Sequence, residues 1–164
     1  MYNLKIRTYF NLVFFISVIS LTSAYFIEYI LGYQPCNLCL IERIPYGLSV
    51  LVIIINITFN KIEKILVLTL ILIFVFSLMV SIYHLGIEQE IFEESSICGV
   101  KNANEILSKE ELLRQLNKKI VSCKDVTFRI FGFSLTTINI LISLFILFIS
   151  TKILKKIWKV QKLK

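Results

Sequence analysis

Four cysteines, one histidine and an arginine set inside an apolar run are the residues of this chain with chemistry to offer. Cys36 and Cys39 form a Cys-x-x-Cys pair directly after Pro35, and Arg43 follows Cys39 by four positions. A disulfide between thiols so close in sequence closes a very small loop and restrains the chain little, which favours redox use over stapling. From Ile44 to Phe59 there are too few residues to cross about 30 Å of hydrocarbon at about 1.5 Å each. A spanning helix must therefore begin earlier, near Asn37 or Leu38, which puts the pair at a helix N-terminus on the membrane boundary. Unpaired N–H groups and the helix dipole favour a thiolate there. Arg43 shares a helix face with Cys39. A guanidinium so held can stabilise a thiolate or a reduced, anionic oxygen on a bound molecule. A charge inside a span is costly, which makes Arg43 a functional candidate; the alternative is a side chain that snorkels to the headgroups.

Cys98 and Cys123 lie 25 positions apart in a polar segment. Four cysteines permit three pairings, the most parsimonious being Cys36 with Cys39 and Cys98 with Cys123. Cys-x-x-Cys is also half of a zinc site, but Cys98 and Cys123 do not form the second close pair, so no metal is expected. Haem attachment needs His directly after the second cysteine, where Leu40 stands. Two inert structural bridges remain the bland reading.

The elements that position these residues follow from composition. Of 164 residues, 57% are hydrophobic and 18% charged, with a mean hydropathy of +0.80. Soluble domains sit near 45–50% apolar and about a quarter charged. The excess falls in four blocks, about 9–30, 38–59, 65–84 and 130–151, read as transmembrane helices. The expected fold is an all-α, four-helix membrane bundle forming a single integral domain, 1–164, with a long outer loop over 85–129. Basic residues followed by an apolar run and Thr22-Ser23-Ala24 mimic a secretory signal, but the run continues through Tyr25 to Ile30, and a retained helix is expected.

The net charge of +7 divides across the membrane. Ten basic residues against Glu63 give +9 on the side holding both termini and the 60–64 turn; eight basic residues against ten acids give −2 on the other. Positive charge marks the cytoplasmic side, so both termini are expected there and all four cysteines on the oxidising, outer face, where disulfides persist. The basic balance thus orients the chain in the bilayer, and no nucleic-acid partner is expected.

The stretch Gln34-Pro35-Cys36-Asn37-Leu38-Cys39-Leu40-Ile41-Glu42-Arg43-Ile44-Pro45-Tyr46 resembles the signature of the disulfide bond formation protein B (DsbB) family of bacterial membrane proteins. Tyr83-His84-Leu85-Gly86-Ile87-Glu88 is similar to the family's end of span three, and Cys123-Lys124-Asp125 with Arg129 and Phe131-Gly132-Phe133-Ser134-Leu135 to its entry into span four. Lys124 intervenes where many members run Cys into Asp, and Phe133 replaces a commoner Leu. The resemblance implies an inner-membrane protein-dithiol:quinone oxidoreductase, monomeric, with its active site in the periplasm. It implies that a reduced DsbA-type thiol oxidase attacks Cys98, that freed Cys123 attacks Cys36, and that the Cys39 thiolate meets ubiquinone or menaquinone beside Arg43. By resemblance His84 lines the quinone site or passes a proton, with Glu88 a candidate partner; a lone histidine there is otherwise an interfacial hydrogen-bonder.

In the outer loop, Ser108-Lys109-Glu110-Glu111 reads as a capping box opening a short amphipathic helix with Leu112, Leu113, Leu116 and Ile120 on its apolar side. Phe14, Phe15, Phe145 and Phe148 read as lipid-facing or packing residues. Two other classes compete with the quinone enzyme: a thiol reductant of the vitamin K epoxide reductase-like type, and a four-helix membrane protein with structural disulfides or a zinc site.

Overall fold

The computed structural model describes residues 2–58, 63–93, 98, 121–124, 128–130 and 132–161. Helices fill the four apolar blocks: α1 (Tyr2–Tyr29), α2 (Asn37–Thr58), α3 (Glu63–Glu88) and α4 (Leu135–Gln161). Within them Arg7–Tyr29, Asn37–Ile55, Lys64–Glu88 and Leu135–Lys159 are long and apolar enough to cross a membrane. The capping box at Ser108 and the helix expected after it lie outside the described residues.

Helix ends follow local chemistry. Past α1 the chain turns at Gly32, whose φ of +76° suits a residue without Cβ. Pro35 precedes Cys36, which acts as the N-cap of α2: the Cys39 N–H donates to its sulfur at 3.3 Å. Pro45 sits inside α2 and removes one N–H from its ladder. α3 runs four residues past the expected 84, to Glu88. α4 starts five residues later than the expected 130. Arg129–Ile130 (β1) pairs antiparallel with Phe133–Ser134 (β2) instead, turned at Gly132 with φ +87°. Ser134 then caps α4, accepting from the Thr137 N–H at 3.2 Å.

The bundle is arranged for lipid rather than water. Large apolar side chains such as Phe15, Leu72, Leu141 and Phe148 point outward, where hydrocarbon solvates them. Ser17, Ser49, Ser77, Ser81, Ser143 and Ser150 are fully buried between helices; small hydroxyl residues let helix backbones approach and bond across the seam. Ser17 pairs with Ser49 at 2.7 Å between α1 and α2, Ser77 with Ser143 at 3.1 Å between α3 and α4, and Tyr9 with Ser150 at 2.5 Å between α1 and α4. Around these, Phe10, Val13, Ile53, Leu70, Phe74 and Ile146 form the apolar core. Of the four phenylalanines expected at lipid or in packing, Phe14 packs on this core while Phe15, Phe145 and Phe148 are exposed. Contact is extensive from α1 to α2 to α3 to α4, but α1 touches α4 only sparsely. At the end away from the cysteines, Lys64 lies 5.0 Å over the Trp158 ring and Lys152 4.1 Å over Phe148.

Candidate functional site

Reversal of the chain at α1/α2 and α3/α4 gathers the chemistry at one end of the bundle. Cys36 and Cys39 are thiols with sulfurs 2.9 Å apart. Cys98 and Cys123 are joined as a disulfide, Cα atoms 5.4 Å apart. Cys36, Cys98 and Cys123 are buried in one apolar cluster with Leu38 and Ile87, and Cys39 packs against it. Of the two expected pairs, Cys98–Cys123 is bonded while Cys36 and Cys39 stand side by side as thiols, and all four touch a common core.

His84 is the pivot. It is 2% exposed, so its two nitrogens are committed to protein partners. Nε2 faces the Cys36 sulfur at 3.5 Å. Nδ1 lies 2.9 Å from Glu42 Oε1 and 3.1 Å from Thr136 Oγ1. Thr136 donates its hydroxyl proton to Glu88 Oε1 at 2.6 Å, so it accepts from Nδ1–H. That assignment leaves the Nε2 lone pair aimed at sulfur. Glu88, the partner expected for His84, sits 3.9 Å from Nε2. The other Glu42 oxygen accepts from Asn139 Nδ2 at 3.2 Å; Asn139 also donates to Ser81 at 2.7 Å and accepts from the Tyr46 hydroxyl. No buried side-chain nitrogen or oxygen among the described residues lacks a partner, as a polar network inside hydrocarbon requires.

Cys36 lies at the mouth of this network, just outside the span of α2. The Cys39 thiol beside it is the largest influence on its acidity, ahead of opposing burial and then of His84, and together they lower its pKa to about 5. A thiol so placed is both a ready nucleophile and a good leaving group. Sulfur, imidazole and carboxylate in line form the nucleophile–base–orienter arrangement of thiol catalysis.

Arg43 takes a role that spacing did not reveal. Its guanidinium pairs with Glu28 of α1 and lies 5.1 Å over the Tyr25 ring. It still borders a cavity of about 300 Å³ whose wall also includes Cys36, Cys39, Cys123, His84 and Glu88. The α1 side of the cavity is apolar, with Ile19, Ala24 and Ile27. Sequence reasoning passed over Glu28, Glu42, Thr136 and Asn139. Glu42 carried a usable signal, a carboxylate beside Arg43 inside an apolar run; Thr136 and Asn139 carried only their polarity.

No solved structure matches the chain. An uncharacterized protein of Rickettsia prowazekii (strain Madrid E) is 31% identical over 134 residues, which is 80% of this chain and 78% of the relative. The family model described as "Disulfide bond formation protein DsbB" matches residues 6–153. With four membrane-length helices and a thiol site at one end, the chain is a multi-pass membrane protein belonging to the DsbB family of disulfide-forming oxidoreductases.

Proposed function

We propose that this protein reoxidises a DsbA-type thiol oxidase in the periplasm and passes the electrons to membrane quinone. The observation that carries the reading is the common location of two cysteine pairs: a buried Cys98–Cys123 disulfide packed with Cys36, and Cys36 and Cys39 bordering the cavity. In this reading a thiolate of the reduced partner attacks the Cys98 sulfur and breaks the Cys98–Cys123 bond. Cys123 leaves as a thiolate and attacks the Cys36 sulfur of an oxidised Cys36–Cys39 pair, releasing Cys39. The partner's second thiolate then attacks its own sulfur bonded to Cys98, and the partner leaves as a disulfide, freeing Cys98. The Cys98 thiolate attacks Cys123, restoring their bridge and freeing Cys36. The reduced Cys36–Cys39 pair would close again by giving two electrons and two protons to quinone.

The cavity fits a quinone ring: its volume of about 300 Å³ is at the small end of ligand sites, and its wall combines apolar α1 residues with Cys39, Arg43 and His84. A bound quinone would supply a two-electron, two-proton acceptor. Sparse contact between α1 and α4 among the described residues would give quinone, which resides in lipid, a lateral way in. Arg43 would offer positive charge to a reduced oxygen, its position held by Glu28. His84 Nε2 would hold the Cys36 proton when that thiol ionises, with Glu42 stabilising the imidazolium.

Anaerobic mixing of a reduced DsbA-type partner, this protein and quinone tests the reading. Stoichiometric quinol is expected, lost in Cys39→Ser while helical circular dichroism is unchanged. Normal turnover of Cys39→Ser would refute it.

A further inference from the structure

Cys36, Cys39 and His84 present two sulfurs and a ring nitrogen that all lie within 4.8 Å of one another. Spacing alone sought the rest of a metal site in Cys98 and Cys123, which are tied to each other. The third donor comes instead from α3, a residue far along the chain. We propose that the reduced Cys36–Cys39 pair forms, with His84, a binding site for a zinc-class divalent ion, with the fourth position open to the cavity. The ion and a Cys36–Cys39 disulfide exclude each other.

Two thiolates and an imidazole are a zinc donor set, and three protein ligands with an open fourth position is the pattern of accessible zinc sites. Zinc–sulfur and zinc–nitrogen distances of about 2.3 and 2.0–2.1 Å place tetrahedral sulfur and nitrogen ligands roughly 3.5 Å apart. Cys36 Sγ and His84 Nε2 already stand at 3.5 Å. The two sulfurs, at 2.9 Å, need to open by a little under about 1 Å, within reach of side-chain rotation about standard rotamers. The outer shell is built as well. Nδ1 of His84 is held by Glu42 at 2.9 Å, the carboxylate–histidine–metal relay that fixes the ring and raises its basicity. The backbone N–H of Cys39 supports the Cys36 sulfur. Two thiolates neutralise a divalent ion, so the complex brings no net charge to the bilayer boundary.

Binding releases the thiol protons and moves no electrons. Two-electron oxidation of the thiolates by an added oxidant, or by quinone in the redox reading above, forms the Cys36–Cys39 disulfide and ejects the ion. Arrest of turnover by the ion rests on the redox reading above, whereas binding does not. The test is an anaerobic Co²⁺ titration of the full chain in detergent, followed by thiolate-to-cobalt absorption with Zn²⁺ as competitor. It uses the unsubstituted chain and a Cys98→Ala/Cys123→Ala variant, each reduced and oxidised. One ion per chain is expected in both reduced forms and none in the oxidised forms. Glu42→Gln should weaken binding about 10–100-fold, and His84→Ala more, with helical circular dichroism retained. Equal binding by reduced and oxidised chains, affinity indifferent to His84→Ala, or binding that needs Cys98 and Cys123 would each overturn the proposal. If His84→Ala does not fold, the comparison of oxidation states decides. Quinol formed at the normal rate while the ion stays bound would overturn the mutual exclusion. Tight binding by the reduced chain with no quinol formed in the absence of the ion leaves the metal site standing and removes the redox reading.

Discussion

At Cys36 a helix N-terminus, a second thiol and an imidazole converge on one sulfur, and each favours its thiolate. With the pKa lowered to about 5, the thiolate predominates above that pH and is lost as pH falls through it. In chelator, and with Cys98 and Cys123 replaced by alanine, the alkylation rate of Cys36 should rise through about pH 5 and then level off. His84→Ala removes a hydrogen bond and a positive charge from the thiolate, so its midpoint should move upward. A midpoint at the ordinary thiol value in the parent would show that the convergence has no electrostatic effect. The cysteines themselves were legible in the chain because Cys-x-x-Cys is a short-range pattern. The Glu42–His84–Cys36 relay was not, because its members come from α2 and α3 and spacing carries no information about which helices are neighbours.

Between elements, polar contacts determine how α2, α3 and α4 meet. Asn139 alone ties α4 to Glu42 and Tyr46 on α2 and to Ser81 on α3. Asn139→Leu takes one partner from each of those groups in an apolar setting, and unfolding in detergent should show a loss of about 1–3 kcal/mol. Ser77→Ala on the Ser77–Ser143 contact should cost only about 0.6 kcal/mol, the usual worth of such a bond inside a membrane protein. Comparable losses in the two variants would mean that the Asn139 network does not organise the bundle. Hydropathy located all four helices, since twenty apolar residues have few alternatives to spanning. It misplaced the start of α4, because Ile130 and Phe133 are as apolar as the residues of a span. What separates them is the hairpin turned at Gly132, a conformational preference that an apolar run does not reveal.

For the whole molecule, the lysines at the far end and the thiols at the near end make orientation the governing variable. The sequence charge of +7, split as the expected topology splits it, would put both termini in the cytoplasm by the positive-inside rule, which is the orientation the proposed function requires. A label that cannot cross the membrane should therefore react with Cys98-side positions in intact cells and spare a cysteine placed at Lys162. Labelling of the tail from outside would reverse the topology and remove the proposed periplasmic partner.

Span number, charge asymmetry and the Cys-x-x-Cys motif are properties of local composition, and local composition is read directly along a chain. The partners of His84, the engagement of Arg43 by Glu28 and the wall of the cavity depend on which faces of four separate helices turn toward one another. That choice is made by packing: buried serines bring the helices close, Asn139 and Glu42 must find each other once removed from water, and the lone histidine is carried onto the dithiol by the same contacts.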